Sequence, residues 1–161
     1  MTKLCLFLSA LAVVWGGQTW LGGEASAATR CKRIHGEIVL TPVSGPECNS
    51  AVSICGAGQL TGSLAGTSFF IGSSLGQTVD TPSTSVVLLT GDNRIETRRG
   101  VLLTKDAIVL RTGGDGEFAE VDTIVGGTGT LAGATGVFTA TGLYSAVVGG
   151  SGVYEGELCM P

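Results

Sequence analysis

The chain reads as all-β: a single closed antiparallel β-barrel of about eight strands. Three observations point there. Helical periodicity is almost absent, and short runs of Val, Ile, Leu, Thr and Phe recur instead. Glycine, 27 residues of 161, punctuates these runs where tight turns are needed. The first and last runs each carry a cysteine and opposite charges, placed so that the two could pair and close the sheet.

Residues 1–27 stand apart. Lys3 gives a positive start, Leu4 to Trp15 is an apolar run broken only by Ser9, and Gly16-Gly17 ends it. Ala25-Ser26-Ala27 supplies the small residues of a cleavage site, so this segment is expected to be a secretory signal peptide. Its apolar core, about 12 residues, falls short of the roughly 20 that cross a bilayer. Ala28-Thr29-Arg30 before Cys31 does not match a lipid-attachment pattern, and no later stretch is long and apolar enough to span a membrane. Residues 28–161 are then one domain, expected to be secreted or periplasmic.

Once Cys5 leaves with the signal peptide, Cys31, Cys48, Cys55 and Cys159 remain. An even number in an exported chain reads as two disulfides, with three possible connectivities. No CxxC pair exists and His35 is the sole histidine, so neither a metal site nor another cofactor is expected. The net charge of −4 and the lack of a basic patch argue against a nucleic-acid partner.

Taken in order, the expected strands begin with Arg33–Leu40, Gly58–Leu64 and Thr67–Leu75. In the middle, Ser85–Leu89 continues through Ile95–Thr97, followed by Val101–Thr104 and Ala107–Thr112. The last are Phe118–Val125, Val137–Val147 and Gly152–Leu158. Pro42, Gly45 and Pro46 make the segment between Cys48 and Cys55 a loop, and Gln77–Thr84, with Pro82, a second polar loop. Gly113-Gly114-Asp115-Gly116 is a tight turn. Thr61-Gly62-Ser63-Leu64-Ala65-Gly66 resembles Thr128-Gly129-Thr130-Leu131-Ala132-Gly133, which we read as two sharp turns with one backbone requirement rather than a duplication.

Alternation along strands assigns faces. Arg33, His35 and Glu37 share a face of the first strand with Cys31, and Glu155 and Glu157 share one of the last strand with Cys159. If Cys31 lies opposite Cys159, then Arg33 faces Glu157 and His35 faces Glu155. That register predicts disulfides Cys31–Cys159 and Cys48–Cys55 and removes the sheet's edges.

The stretch Gly126-Gly127-Thr128-Gly129-x-Leu131-x-Gly133-Ala134-x-Gly136 resembles the glycine motif of the allene oxide cyclase and dirigent barrels, above all in bacterial secreted proteins with an allene oxide cyclase barrel-like domain. Gly58-x-Leu60-x-Gly62-x-Leu64-x-Gly66 is similar to their early-strand pattern, and the resemblance covers 33–159. It implies an eight-stranded antiparallel barrel, an apolar cavity used for cyclisation or for steering radical coupling, and frequent trimers, hence a possible homo-oligomer. The matched residues are glycines and turn residues, so they carry fold and not catalytic roles.

Candidate chemistry is sparse. Arg33, His35 and Glu37 could form an acid/base cluster, but their alternation favours an outward row facing Glu155 and Glu157. Glu120 and Asp122 share a face and could flank a reacting bond or bind a cation, but the more apolar row Ala119, Val121, Thr123 and Val125 suggests that the carboxyls face solvent. Phe118 opposes that reading, because it shares their parity. Arg94, Glu96 and Arg98 read as a solvated face. No nucleophile elbow or phosphate loop is present. The last long strand before the C-terminal one puts Phe138, Ala140, Gly142, Tyr144 and Ala146 on one face, where small residues would leave room. Phe69 (or its neighbour Phe70), Phe118, Phe138 and Tyr144 are the candidates to line a pocket for a small apolar ligand. Two functions survive: a non-catalytic exported barrel that binds such a ligand or serves as an interaction module, and a cyclase or isomerase acting on a hydrophobic substrate. An enzyme would need a polar group inside the barrel.

Overall fold

A two-residue side-chain period gives each strand an inner and an outer face, and a closed barrel buries every inner face at once. The computed structural model describes residues 29–81, 84–112 and 116–161. Its strands are β1 (Arg30–Val43), β2 (Cys55–Leu60), β3 (Gly66–Thr81), β4 (Thr84–Thr97), β5 (Gly100–Arg111), β6 (Glu117–Gly127), β7 (Thr135–Ser145) and β8 (Gly149–Met160). Each pairs antiparallel with the next, and β8 returns to β1. No helix among the described residues is long and apolar enough to cross a membrane.

The closing seam has the register that alternation predicts: Cys31 opposite Cys159, Arg33 opposite Glu157, His35 opposite Glu155. Disulfides join Cys31 to Cys159 and Cys48 to Cys55. The facing charges do not form close ion pairs, however; the described ion pairs lie elsewhere on the surface, as in Arg94 Nε to Glu96 Oε1 at 2.9 Å.

One end of the barrel is sealed. The turns Gly62–Leu64 and Gly129–Leu131 are both single 3-10 turns, each entered from an extended threonine (Thr61, Thr128). Each begins with a glycine at positive φ, 71° at Gly62 and 62° at Gly129. Each then drops a leucine into the core, Leu64 and Leu131, 2% and 1% exposed. The two similar hexapeptides thus meet one backbone requirement twice, and their leucines pack with Ile34, Leu60, Ile95 and Leu102.

Four expectations about elements need correction. β2 stops at Leu60, because residues 62–64 turn inward rather than extend. β5 is one strand and not two, since Leu102, Thr104, Asp106, Ile108 and Leu110 keep alternating across the expected break. Most of Gln77–Thr84 is not loop: β3 runs to Thr81 and pairs with β4 from Thr84, with register shifts between Gly72 and Ser74 and between Gln77 and Val79. β7 ends at Ser145, so Ala146 leaves the strand face. The expected leader 1–27, Pro82 and the Gly113–Asp115 part of the expected turn lie outside the described residues.

Candidate functional site

β5 and β6 build the site. On β6, Phe118 and Ile124 are 7% and 3% exposed and anchor the inner face. Glu120 and Asp122 lie between them with the same parity, so they point inward, while Val121 and Val125 face out at 45% and 54% exposure. A one-residue slip would free the carboxyls but expose Phe118 and Ile124 and break the ladders to β5 and β7. The solvent-facing expectation for Glu120 and Asp122 is therefore corrected. The Ala119–Val125 row is apolar yet outward, and Phe118 was the residue that reported the true face.

β5 adds a third carboxyl. Asp106 is the direct ladder partner of Asp122, and both are almost wholly buried. Thr104 Oγ1 donates to Asp106 Oδ1 at 2.5 Å. The Oδ2 atoms of Asp106 and Asp122 and Oδ1 of Asn93 are buried without a hydrogen-bond partner. Carboxyl oxygens of Asp106, Glu120 and Asp122 lie within 4.8 Å of one another. Such an oxygen-only set has the composition a hard divalent cation takes. Protons can occupy the same oxygens, and no buried Lys or Arg stands among the described residues to neutralise the group.

Burial sets the charge state. Desolvation, and then repulsion from Asp106, pushes Glu120 up to about 8. Desolvation, then the charges of Glu120 and Asp106, pushes Asp122 up to about 11. Asp106 is also raised by burial, but hydrogen bonding from Thr104, Asp122, Asn93 and Glu120 works against that rise. At neutral pH the cluster thus keeps protons on Asp122 and Glu120.

Beside the cluster is a cavity of about 90 Å³. Leu40, Ile108, Phe118 and Phe138 give it apolar walls, and Ser68, Asn93, Glu120 and Asp122 give it a polar one. Of the expected pocket residues, Phe118, Phe138 and Tyr144 line it. Phe69 does not: it alternates with the inward Ser68 and Phe70, opposite Arg94 on the outer ladder, and Phe70 takes the place expected of it. Phe70 fits because its ladder neighbourhood includes Gly91, where a Cβ would come within 2.4 Å of the ring. The cavity also touches Ala140, one of the small residues expected to leave room. Tyr154, edge-on to Phe138 at 5.9 Å, also lines the cavity, and its hydroxyl donates to Thr61 O and accepts from Leu64 N, tying β8 to the sealed end. Arg33, His35, Glu155 and Glu157 border a groove on the outside, remote in character from this lumen.

Sequence reasoning missed Asp106, Thr104, Ser68 and Asn93. The signals were present: Asp106 and Thr104 fall in the alternation Leu102 to Leu110, and Asn93 falls in line with Leu89 and Ile95.

No protein-family description matches the chain, and no curated protein sequence matches it. Among solved structures it is similar to a pterocarpan synthase dirigent protein, with 12% identity and a TM-score of 0.36 over 84% of this chain and 88% of that one. The barrel assignment rests on the strand order and registers above.

Proposed function

We propose that this chain is an exported barrel whose lumen takes up a small, mainly apolar molecule carrying a hydrogen-bonding oxygen. One observation carries the reading: Asp122 Oδ2 and Asn93 Oδ1, both buried without a hydrogen-bond partner, belong to residues in the polar wall of a mainly apolar cavity. Leaving such groups unsatisfied costs about 1–3 kcal/mol each, so a site that retains them without a structural partner favours a ligand that supplies one. The unpartnered Asp122 Oδ2 and Asn93 Oδ1 accept from a hydroxyl of the ligand, and the aromatic walls hold the hydrocarbon part. Export is supported by the leader-like residues 1–27, and two disulfides suit an oxidising compartment.

A second reading, a cyclase or isomerase, is favoured by the proton arrangement itself. A carboxylic acid that borders the cavity and holds its proton near neutrality (Glu120) has carboxyl oxygens of Asp106 and Asp122 within 4.8 Å. Adjoining carboxyls that exchange protons among themselves can give a proton to one atom of a bound molecule and take one from another, with no net change in the protein.

Native mass spectrometry of protein purified from its own source tests the first reading. The expected result is one small apolar adduct per barrel, absent from an Ala140→Leu variant whose added side chain fills the cavity. A protein that carries no adduct and takes up no phenol or indole in solution would overturn it. Turnover of a recovered ligand by the wild type, lost in Glu120→Gln with binding retained, separates the enzyme from the binding protein.

A further inference from the structure

The lumen has a closed end and a covered one. Opposite the leucine-sealed end, the connection from β1 to β2 carries a strap, Cys48–Cys55, that is closed on itself by its disulfide and lies against Gly72 of β3 at the barrel mouth. The last strap residues, Ile54 and Cys55, line the cavity. Ser50 pins the strap: its hydroxyl donates to Gly72 O on β3 at 2.6 Å and accepts from Val52 N and Ile54 N, both at 3.1 Å. Gly72 N in turn donates to Ile54 O at 2.9 Å. The missing side chain at Gly72 is what lets the strap lie down, since a Cβ there would come within 3.0 Å of Ile54 O and 3.1 Å of a Val52 methyl.

Size makes the strap functional. A cavity of about 150 Å³ lined by apolar side chains holds benzene, and this one has about 90 Å³. A ligand as large as one aromatic ring therefore needs the enclosure to move. Strand walls cannot supply that movement without breaking ladders on both sides. The strap can: of its residues only Cys55 belongs to a ladder, paired with Val43 and Ile71 where β2 begins, and the rest is attached by the disulfide and the Ser50 and Ile54 bonds to Gly72.

We infer that the Cys48–Cys55 strap is the entrance gate and size filter of the lumen, with Ile54 as the roof residue that excludes larger apolar molecules. This rests on the ligand-binding reading of the same cavity. The class admitted when the strap lifts is an uncharged molecule of one or two rings, because the mouth leads to apolar walls before it reaches the carboxyls.

Stopped-flow uptake of N-phenyl-1-naphthylamine, an uncharged fluorophore, tests the gate on the full mature chain with both disulfides confirmed by mass. Wild type is expected to take it up slowly. Cys48→Ser/Cys55→Ser and Ile54→Ala are each expected to raise the association rate at least tenfold, and Ser50→Ala to raise it by less. Cys31→Ser/Cys159→Ser, at a temperature where it remains folded by circular dichroism, is expected to leave the rate unchanged. Ile54→Ala and Ser50→Ala keep both disulfides, so they carry the test if the cysteine variant does not fold. Equal rates in wild type, Ile54→Ala and Ser50→Ala would overturn the gate and leave the binding lumen standing. Absence of uptake by every form would overturn both.

Discussion

The three inward carboxyls reverse the usual relation between acid groups and stability. A carboxylate held by partners loses its contribution as pH falls. Here the folded-state values of Glu120 and Asp122 lie above their ordinary ones, so the folded chain binds more protons than the unfolded chain and stability falls as pH rises. The decline starts just above the ordinary carboxyl range, where the unfolded groups ionise. It continues through about 8 for Glu120 and on toward about 11 for Asp122. Unfolding free energies from urea titrations between pH 5 and pH 8 should therefore drop by up to about 1.4 kcal/mol per pH unit for each group that stays protonated only when folded. Glu120→Gln keeps the shape and removes one titrating group. It should flatten the profile and leave the variant more stable than wild type at pH 8. A wild-type profile that is level over this window would show that the cluster's charge is compensated in some other way.

At the scale of elements, the corner between β6 and β7 shows why glycines of one motif are unequal. Gly136, at φ 135°, lies against β8, and a Cβ there would come 2.2 Å from Glu157 O. Gly126 has nothing within 4 Å of a built Cβ. Gly136→Ala should cost about 2–4 kcal/mol by forcing β7 off β8, and Gly126→Ala should stay within about 0.5 kcal/mol, both read from urea unfolding. Leu131→Ala, which removes a sealing side chain 1% exposed, should cost about 2–5 kcal/mol. These elements also mark how far the sequence can be read. The corner, the seam register and the disulfides were legible because turn chemistry and strand parity are local properties. The site was legible only through conflicts between neighbours. On β6 the outward valines outweighed the parity of Phe118, since a barrel surface can carry valine when its interior carries acid. On β5 the polar Thr104-Lys105-Asp106 looked like a break, although its alternation with Leu102 and Ile108 continued unbroken. A buried polar residue has no signature of its own; only the strand that places it does.

Over the whole molecule, the two disulfides divide the tasks of holding the fold and covering the lumen. Cys31–Cys159 spans 128 residues and Cys48–Cys55 spans 7. Constraint of the unfolded chain grows with the logarithm of the closed loop, which gives about 5 kcal/mol for the long bridge and about 2 kcal/mol for the short one before native-state relaxation reduces both. The long bridge reinforces a seam that already pairs Arg30 with Met160 through to Leu40 with Gly150, so its loss should lower stability without opening the barrel. The short one restrains a strap with few other attachments, so its loss should change access to the cavity more than the melting temperature. Thermal unfolding of Cys31→Ser/Cys159→Ser is expected about 8–16 °C below wild type, at roughly 4 °C per kcal/mol for a chain of this size. Cys48→Ser/Cys55→Ser is expected to lose less than half as much while taking up apolar probe faster. If the short-bridge variant proved the less stable of the two, the strap would be part of what holds the barrel together, and the division between fold and access would not stand.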